Sequence, residues 1–267
     1  MIMPKFTCPD GLAVAYRTSG QGTPLLLLSG QGNGMGWWDP IVADFESDHL
    51  VIRFDYLGTG GSDAPVSGYS LDRFADDAAA LLDHLGIESS AVYGTSMGGK
   101  VAQQLALRHP SRVSCLVIGC SSTGGPNIIR MSNEISSRIA DPATKEATLT
   151  NLMYSPKWTA EYASPYTTLG EASTPQARLG HRRASNGHDA WDKLGAIAVP
   201  TLILHGSDDL MVPPANADLL AGRIPNAQVR IIPGGRHAYF EEYREVASPI
   251  VLDFLAAVLA MPSGDSK

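Results

Sequence analysis

The stretch Val92-Tyr93-Gly94-Thr95-Ser96-Met97-Gly98-Gly99-Lys100 decides how the rest of this chain is read. An apolar run from Ser90 to Tyr93 stops at Gly94, and a helix-forming run, Val101 to Arg108, begins directly after Gly99. Between the two lies Gly-x-Ser-x-Gly. A serine on a sharp strand-to-helix turn has its neighbours two residues away packed against backbone, so both must be small, and Gly94 and Gly98 meet that need. Such a turn lifts the Ser96 hydroxyl off the sheet edge. It also sets it at a helix N-terminus, where the dipole and the Met97 N–H can meet a developing oxyanion.

Gly-x-Ser-x-Gly alone is a weak pattern that ordinary loops match by chance. A second reading competes with it: Gly94-x-x-x-x-Gly99-Lys100 is a phosphate-loop motif lacking its last residue. Val101 stands where a Ser or Thr hydroxyl would hold magnesium. A phosphate loop would also want an acidic partner at another strand end, and has no use for a histidine near the C-terminus.

The chain has 267 residues, enough for one large α/β domain or a core with an inserted subdomain. It is 44% hydrophobic and 18% charged, ordinary for a protein with a sizeable core. A formal net charge of −7 with no basic block argues against nucleic acid as a partner. No secretory signal is read in residues 1–20, and no apolar run approaches the roughly 20 residues of a spanning helix. Cys8, Cys115 and Cys120 lack metal-ligand spacing, and the last two read as buried thiols. The expectation is a cytoplasmic protein without metal or cofactor, acting on a small molecule away from membranes; a homodimer is left open.

Taken in order, Lys5 to Arg17 reads as an antiparallel hairpin around Pro9-Asp10-Gly11. Leu25 to Leu28 is a short, wholly apolar run, as in a strand buried on both faces. It leads into the glycine-dense loop Ser29 to Gly36, where the dinucleotide fingerprint fails because its third glycine would fall on Met35 or Trp37. A helix is predicted from Trp37 to about Phe45. His49 to Phe54 reads as the next strand. Tyr69 to Leu85 has helical periodicity, with Gly86 as its C-cap. Val113 to Gly119 is a further strand. Strands alternating with helices, without period-2 polarity, mean a mostly parallel sheet covered on both faces. From 121 to 194 the rhythm breaks into helical stretches, read as a cap inserted after the sixth strand. The predicted organisation is therefore a core in two parts, 1–120 and 195–267, with a helical cap over 121–194. The sheet resumes at Val199 to Gly206 and ends with Gln228 to Ile232, followed by a final helix from about Glu245 to Ala260.

Ser96, the acidic pair Asp208-Asp209 and His237 then fall at strand C-termini, where open α/β sheets place their chemistry. In that order, with the elbow at residues 94–99, Pro200 to Pro213 and Gly235-Arg236-His237, nearly the whole chain resembles the α/β-hydrolase fold family. Within it the chain looks most like small capped serine hydrolases of the esterase, enol-lactonase and cofactor-free haloperoxidase type. The turn from Asp55 to Ser62 is similar to a family loop, with Leu57 where arginine is usual, which puts a loop-bracing ion pair in doubt.

The resemblance implies a serine nucleophile, Ser96, activated by His237 as general base; an unperturbed imidazole has a pKa of about 6.5. A carboxylate must fix its tautomer, and the family pattern selects Asp209 over Asp208. The oxyanion donors would be the backbone N–H groups of Gln31 and Met97. Met131, Trp158 and Tyr162 of the cap are expected to contact substrate. Arg178, Arg182 and Arg183 could meet a substrate carboxylate, although a solvated face is the plainer reading. His181 and His188 lie in the cap, where a substrate contact is possible but a solvated face is the plainer reading; His205 is read as structural. The expected activity is cleavage of an ester, thioester or lactone of a small to mid-sized, largely apolar substrate through an acyl-enzyme. A C–C bond hydrolase or a perhydrolase would use the same three residues, and a non-catalytic receptor could keep the same fold.

Overall fold

The computed structural model describes residues 3–162 and 173–260. Its strands are β1 (Lys5–Thr7), β2 (Ala13–Ser19), β3 (Thr23–Leu28), β4 (His49–Phe54), β5 (Ser90–Thr95), β6 (Val113–Gly119), β7 (Thr201–Gly206) and β8 (Ala227–Ile232). They form one sheet in the order β1-β2-β4-β3-β5-β6-β7-β8. β2 runs antiparallel to its neighbours β1 and β4, and every later pairing is parallel. The strand order reverses direction around β3, which places the C-terminal ends of β3 and β5 side by side, the position where open sheets gather functional loops.

The apolar runs are central because both of their faces are covered. Leu26 and Leu28 of β3 enter a core with Phe74, Leu81, Val101 and Leu105 on one side of the sheet. Leu25 and Leu27 enter a second core with Trp38, Phe45, Tyr239 and Leu255 on the other. The helices of the first face are α1 (Leu71–His84) and α2 (Met97–Arg108). Ser70 caps α1 by accepting the Arg73 N–H. Its C-terminus closes with Ile87 N–H donating to Leu82 O and Gly86 N–H to Asp83 O, with Gly86 at φ +67°.

Between β6 and β7 the described residues form only helices and loops: α3 (Asn133–Ala140), α4 (Lys145–Met153), α5 (Pro156–Glu161) and α6 (Pro175–Asn186). After β7 come α7 (Ala215–Ala221), α8 (Tyr239–Glu242) and α9 (Arg244–Leu259). Among the described residues no helix is long and apolar enough to cross a membrane.

Two expectations need correction. The predicted helix from Trp37 to Phe45 is two short 3-10 turns, Met35–Trp38 and Val42–Asp44, on either side of Pro40. Proline lacks the N–H that a continuous helix would donate there. His188 is not solvated: it is 4% exposed, with Nε2 3.1 Å from Gln103 Oε1 and Nδ1 3.5 Å from Gln104 Nε2 on α2. Burial, reinforced by the charges of Lys100 and Lys193, pushes its pKa down to about 3. A histidine neutral in the fold takes up a proton on unfolding below about pH 6.5, so the stability it confers is present above that pH and lost as pH falls towards 3. Its share of the slope is roughly 1.4 kcal/mol per pH unit. Urea unfolding between pH 7 and 4.5 should therefore show a shallower loss of stability in His188→Gln than in the wild type.

Among the described glycines, the closest approach of an added Cβ is at the β5–α2 turn. A Cβ on Gly94 would lie 2.2 Å from Gly98 O, and one on Gly98 would lie 2.0 Å from Leu28 O. Both neighbours are backbone and cannot swing aside. Gly98→Ala is expected to cost about 3 kcal/mol or more by overpacking, read as a fall in the urea midpoint. Gly195→Ala, where a methyl meets nothing nearer than Arg223 O at 3.9 Å, should stay within about 0.5 kcal/mol.

Candidate active site

The glycine contacts at the turn fix Ser96 before any side chain is considered. Ser96 sits at φ +56°, ψ −119° as N-cap of α2, a conformation a β-substituted residue holds only when its surroundings impose it. Its N–H donates to Gly119 O at 2.9 Å, and its carbonyl accepts from Gly99 N–H at 3.1 Å and from Ser121 Oγ at 2.8 Å. The backbone is therefore pinned to the end of β6, which sets Ser96 at the C-terminal edge of the sheet.

Asp209 and His237 come from the loops after β7 and β8. His237 Nδ1 lies 2.8 Å from Asp209 Oδ2, with His237 2% and Asp209 0% exposed. Asp209 Oδ1 accepts the N–H groups of Met211 and Val212, each at 2.9 Å. His205 supports the same carboxylate, its Nε2 2.7 Å from Val212 O and 3.3 Å from Asp209 Oδ2. Burial alone would raise the pKa of Asp209. The charge and hydrogen bonds of His237, with the His205 bond, reverse that and hold the carboxyl well below the usual carboxylate range. Asp208 points elsewhere and accepts from Ser207 Oγ at 2.6 Å. The geometry thus separates the two adjacent aspartates by their partners.

Cys120, the residue after β6, fills the space between these groups. It has φ +38° and is fully buried, and its thiol lies against the Ser96 backbone and the Asp209 carboxylate. Burial and Asp209 push its pKa well up. Donor atoms of Cys120, Asp209 and His237 lie within 4.8 Å of one another. A cation there would need a thiolate from a thiol held protonated, and an Asp209 oxygen already shared by two histidines. The donor chemistry favours a hydrogen-bonded relay over a metal centre. Sequence spacing gave no sign of Cys120, because it is brought to the site by the sheet alone.

The glycine-dense loop after β3 abuts the serine: a Cβ on Gly30 would lie 3.7 Å from Ser96 Cβ. Within this loop Asn33 N–H donates to Gly30 O, Gly32 N–H to His181 Nδ1, and Met35 N–H to Asp55 Oδ1. Among the described residues the N–H groups of Gln31 and Met97 are engaged by no hydrogen bond. Met97 heads α2, where helix geometry leaves its N–H without an intrahelical partner.

The helical segment between β6 and β7 meets the site at the end of α4 and at the aromatic residues that follow it. His237 N–H donates to Leu152 O at 3.2 Å and Ala238 N–H to Met153 O at 2.9 Å, so the end of α4 runs beside the histidine loop. Next to it, Trp158 stacks on Tyr154 with ring centroids 4.2 Å apart and meets Tyr162 at 5.0 Å. Tyr162 is 55% exposed and Met131 partly buried at the start of α3, so only Trp158 of the three expected substrate contacts is held by a buried neighbour. The expectation that His181 is solvated is overturned: it is wholly buried. Lys100 is turned away from the Gly94–Gly99 loop and donates to Ser185 O and Oγ of α6 at 3.0 and 3.2 Å. Burial, with Arg130 nearby, lowers its pKa to about 8. A phosphate-loop lysine would face its own loop, so that reading fails here.

Comparison with known proteins follows the same lines. A family model described as serine aminopeptidase, S33, matches residues 23–244. A RutD protein of Azorhizobium caulinodans, which carries the provisional name carbamate hydrolase, is 31% identical over 91% of this chain and 95% of its own. A 2-hydroxymuconate semialdehyde hydrolase of Pseudomonas putida is 30% identical over 94% of this chain and 95% of its own. The solved structure of Est816, described as an N-acyl homoserine lactone degrading enzyme, is 28% identical and superposes with a TM-score of 0.82 over 94% of this chain and 100% of its own.

Proposed function

The chain belongs to this serine aminopeptidase S33 family of α/β hydrolases, and from that premise we propose that it cleaves an ester, thioester or lactone through an acyl-enzyme on Ser96. The observation that carries the proposal is the buried, 2.8 Å contact of His237 Nδ1 with Asp209, on the edge of the sheet that also presents Ser96 at a positive φ.

In the first half-reaction Ser96 Oγ attacks the carbonyl carbon and its proton passes to His237 Nε2. Asp209 holds Nδ1–H, which selects the tautomer with a free Nε2 and stabilises the imidazolium that forms. The carbonyl oxygen, now an anion, is received by the N–H groups of Gln31 and Met97, a pair of fixed dipoles at the head of α2. His237 then returns the proton to the departing alcohol, thiol or lactone oxygen. Water repeats the sequence on the acyl-enzyme and frees the acid. Ser96 Oγ and His237 are not hydrogen-bonded among the described residues, a common resting state that tightens in the substrate complex. The aromatic stack of Tyr154, Trp158 and Tyr162 beside the histidine loop supports a small to mid-sized, largely apolar substrate. Three buried, unpaired cysteines fit a reducing, cytoplasmic compartment.

Hydrolysis of short p-nitrophenyl esters and labelling by a fluorophosphonate test the reading together. Both should vanish in Ser96→Ala. A folded wild type that neither labels nor turns over would remove the activated serine. Labelling without ester turnover would keep the serine and move the search to carbamates and to C–C bonds beside a ketone. Asp209→Asn should preserve the shape of the site but admit the wrong imidazole tautomer. Its kcat is expected to fall by roughly 10^4-fold with KM little changed.

A further inference from the structure

We infer that His181, on a cap helix and distant from Ser96 in sequence, is a positioning residue for the oxyanion loop. This role rests on the hydrolase reading above and adds a residue to it.

The inward face of α6 is Ala177, His181 and Ser185, one turn apart, and each meets a different part of the core. Ala177 packs on Gly58, where an added Cβ would lie 2.4 Å from its methyl. Ser185 accepts from Lys100 on α2. His181, between them, reaches two loops at once. Its Nε2 lies 2.8 Å from Leu57 O and its Nδ1 lies 3.3 Å from Gly32 N. A carbonyl only accepts and a backbone N–H only donates, so these neighbours fix one neutral tautomer: hydrogen on Nε2, lone pair on Nδ1. The ring is fully buried and flanked by Tyr56, Tyr69 and Phe74, with centroids at 6.0, 5.5 and 4.8 Å. A second proton would set an N–H against the Gly32 N–H. Burial pushes the pKa of His181 down and keeps that proton off.

The consequence for chemistry lies in the neighbouring peptide. Gly32 follows Gln31, whose N–H is proposed as an oxyanion donor, and Gly32 is held at φ +73°. Its hydrogen bond to His181 fixes the plane of the Gln31–Gly32 peptide, and hence the turn that aims the Gln31 N–H. The loop's far end is held separately by Met35 N–H on Asp55 at 2.7 Å. The Leu57 side chain is buried, and its carbonyl is braced by His181. One imidazole thus ties the cap, the Asp55–Ser62 turn and the oxyanion loop together.

Two substitutions divide the ring's bonds. In His181→Asn the side-chain oxygen reaches the Nδ1 position and still accepts from Gly32, but the bond to Leu57 O is lost. In His181→Gln the side-chain nitrogen reaches the Nε2 position and still donates to Leu57 O, but Gly32 N–H loses its acceptor. Each variant loses one buried hydrogen bond, so their urea midpoints should fall alike. Misplacing a catalytic group by about 1 Å costs up to about 100-fold in rate, so kcat for a p-nitrophenyl ester should fall roughly 10- to 100-fold in His181→Gln. KM should hold within about two-fold, and His181→Asn should stay within about three-fold of wild type. Hydrogen exchange of the Gly32 amide, which needs no turnover, should quicken in His181→Gln only. Equal kcat losses in both variants, a loss confined to KM, or unchanged Gly32 exchange in His181→Gln would overturn the positioning role while leaving the wild-type reaction standing. A wild type without turnover or label would instead remove the hydrolase reading and this role with it.

Discussion

The contact on which the site depends is backbone against backbone. Gly98 lies so close to the end of β3 that the start of α2, the end of β5 and the loop after β3 can occupy only one relative position. Ser96 pays for this with a positive φ, a strain of about 1–3 kcal/mol, and the parallel sheet on both sides supplies the rigidity to hold it. The loop after β3 is placed by the same contact, since it leaves the sheet at Leu28 and passes Gly30 beside Ser96. The serine, the head of α2 and the glycine loop therefore move as one body.

The opposite half of the site is built differently. Asp209 and His237 sit on loops whose geometry is set by directed polar contacts: two backbone N–H groups and His205 on the carboxylate, and the α4 carbonyls on the histidine loop. The segment between β6 and β7 is anchored in two ways. No residue of α3 is buried and α6 buries only Ala177, His181 and Ser185, but Leu152, Met153 and Tyr154 at the end of α4 are buried, the last two in the second core. Hydrogen bonds add to this packing, among them those between the α4 carbonyls and the His237 loop and between His181 and the Gln31 loop.

This division explains what the sequence made legible. Parallel strands buried on both faces leave apolar runs such as Leu25–Leu28, and a turn that admits only glycine leaves Gly94 and Gly98, so the sheet and the elbow could be read directly. Asp209 was told from Asp208 only by the resemblance, whose pattern sets the acid three residues after Gly206 and four before Pro213. His181 could not be read. Its partners are a carbonyl 124 residues away and an N–H 149 residues away, and backbone groups leave no trace in residue identity. It lies in a helix whose neighbours Arg182 and Arg183 are exposed, so local composition pointed to solvent. Cys120 was hidden for the same reason: only the sheet brings it to Asp209. The helix misread at residues 37–45 is a smaller failure, of local chemistry, since Pro40 was in view.

Charge distribution ties the two halves together. Beside His237 and Asp209 the Cys120 thiol is held protonated by burial and by the Asp209 charge. Asp209 alone is kept ionised, by donors arranged around it before any substrate arrives. The proposed oxyanion donors, the N–H groups at the head of α2 and in the glycine loop, would receive a negative charge without carrying a positive one. In the proposed reaction, a proton moved from Ser96 to His237 creates a cation beside Asp209 and an anion beside the N–H pair. Both charges would then meet dipoles already oriented for them. The protein's work is done in folding, when Asp209 is desolvated and the loops are fixed. In the proposed reaction little would need to reorient, which is why the inferred role of His181 is to hold a peptide plane and not to carry charge.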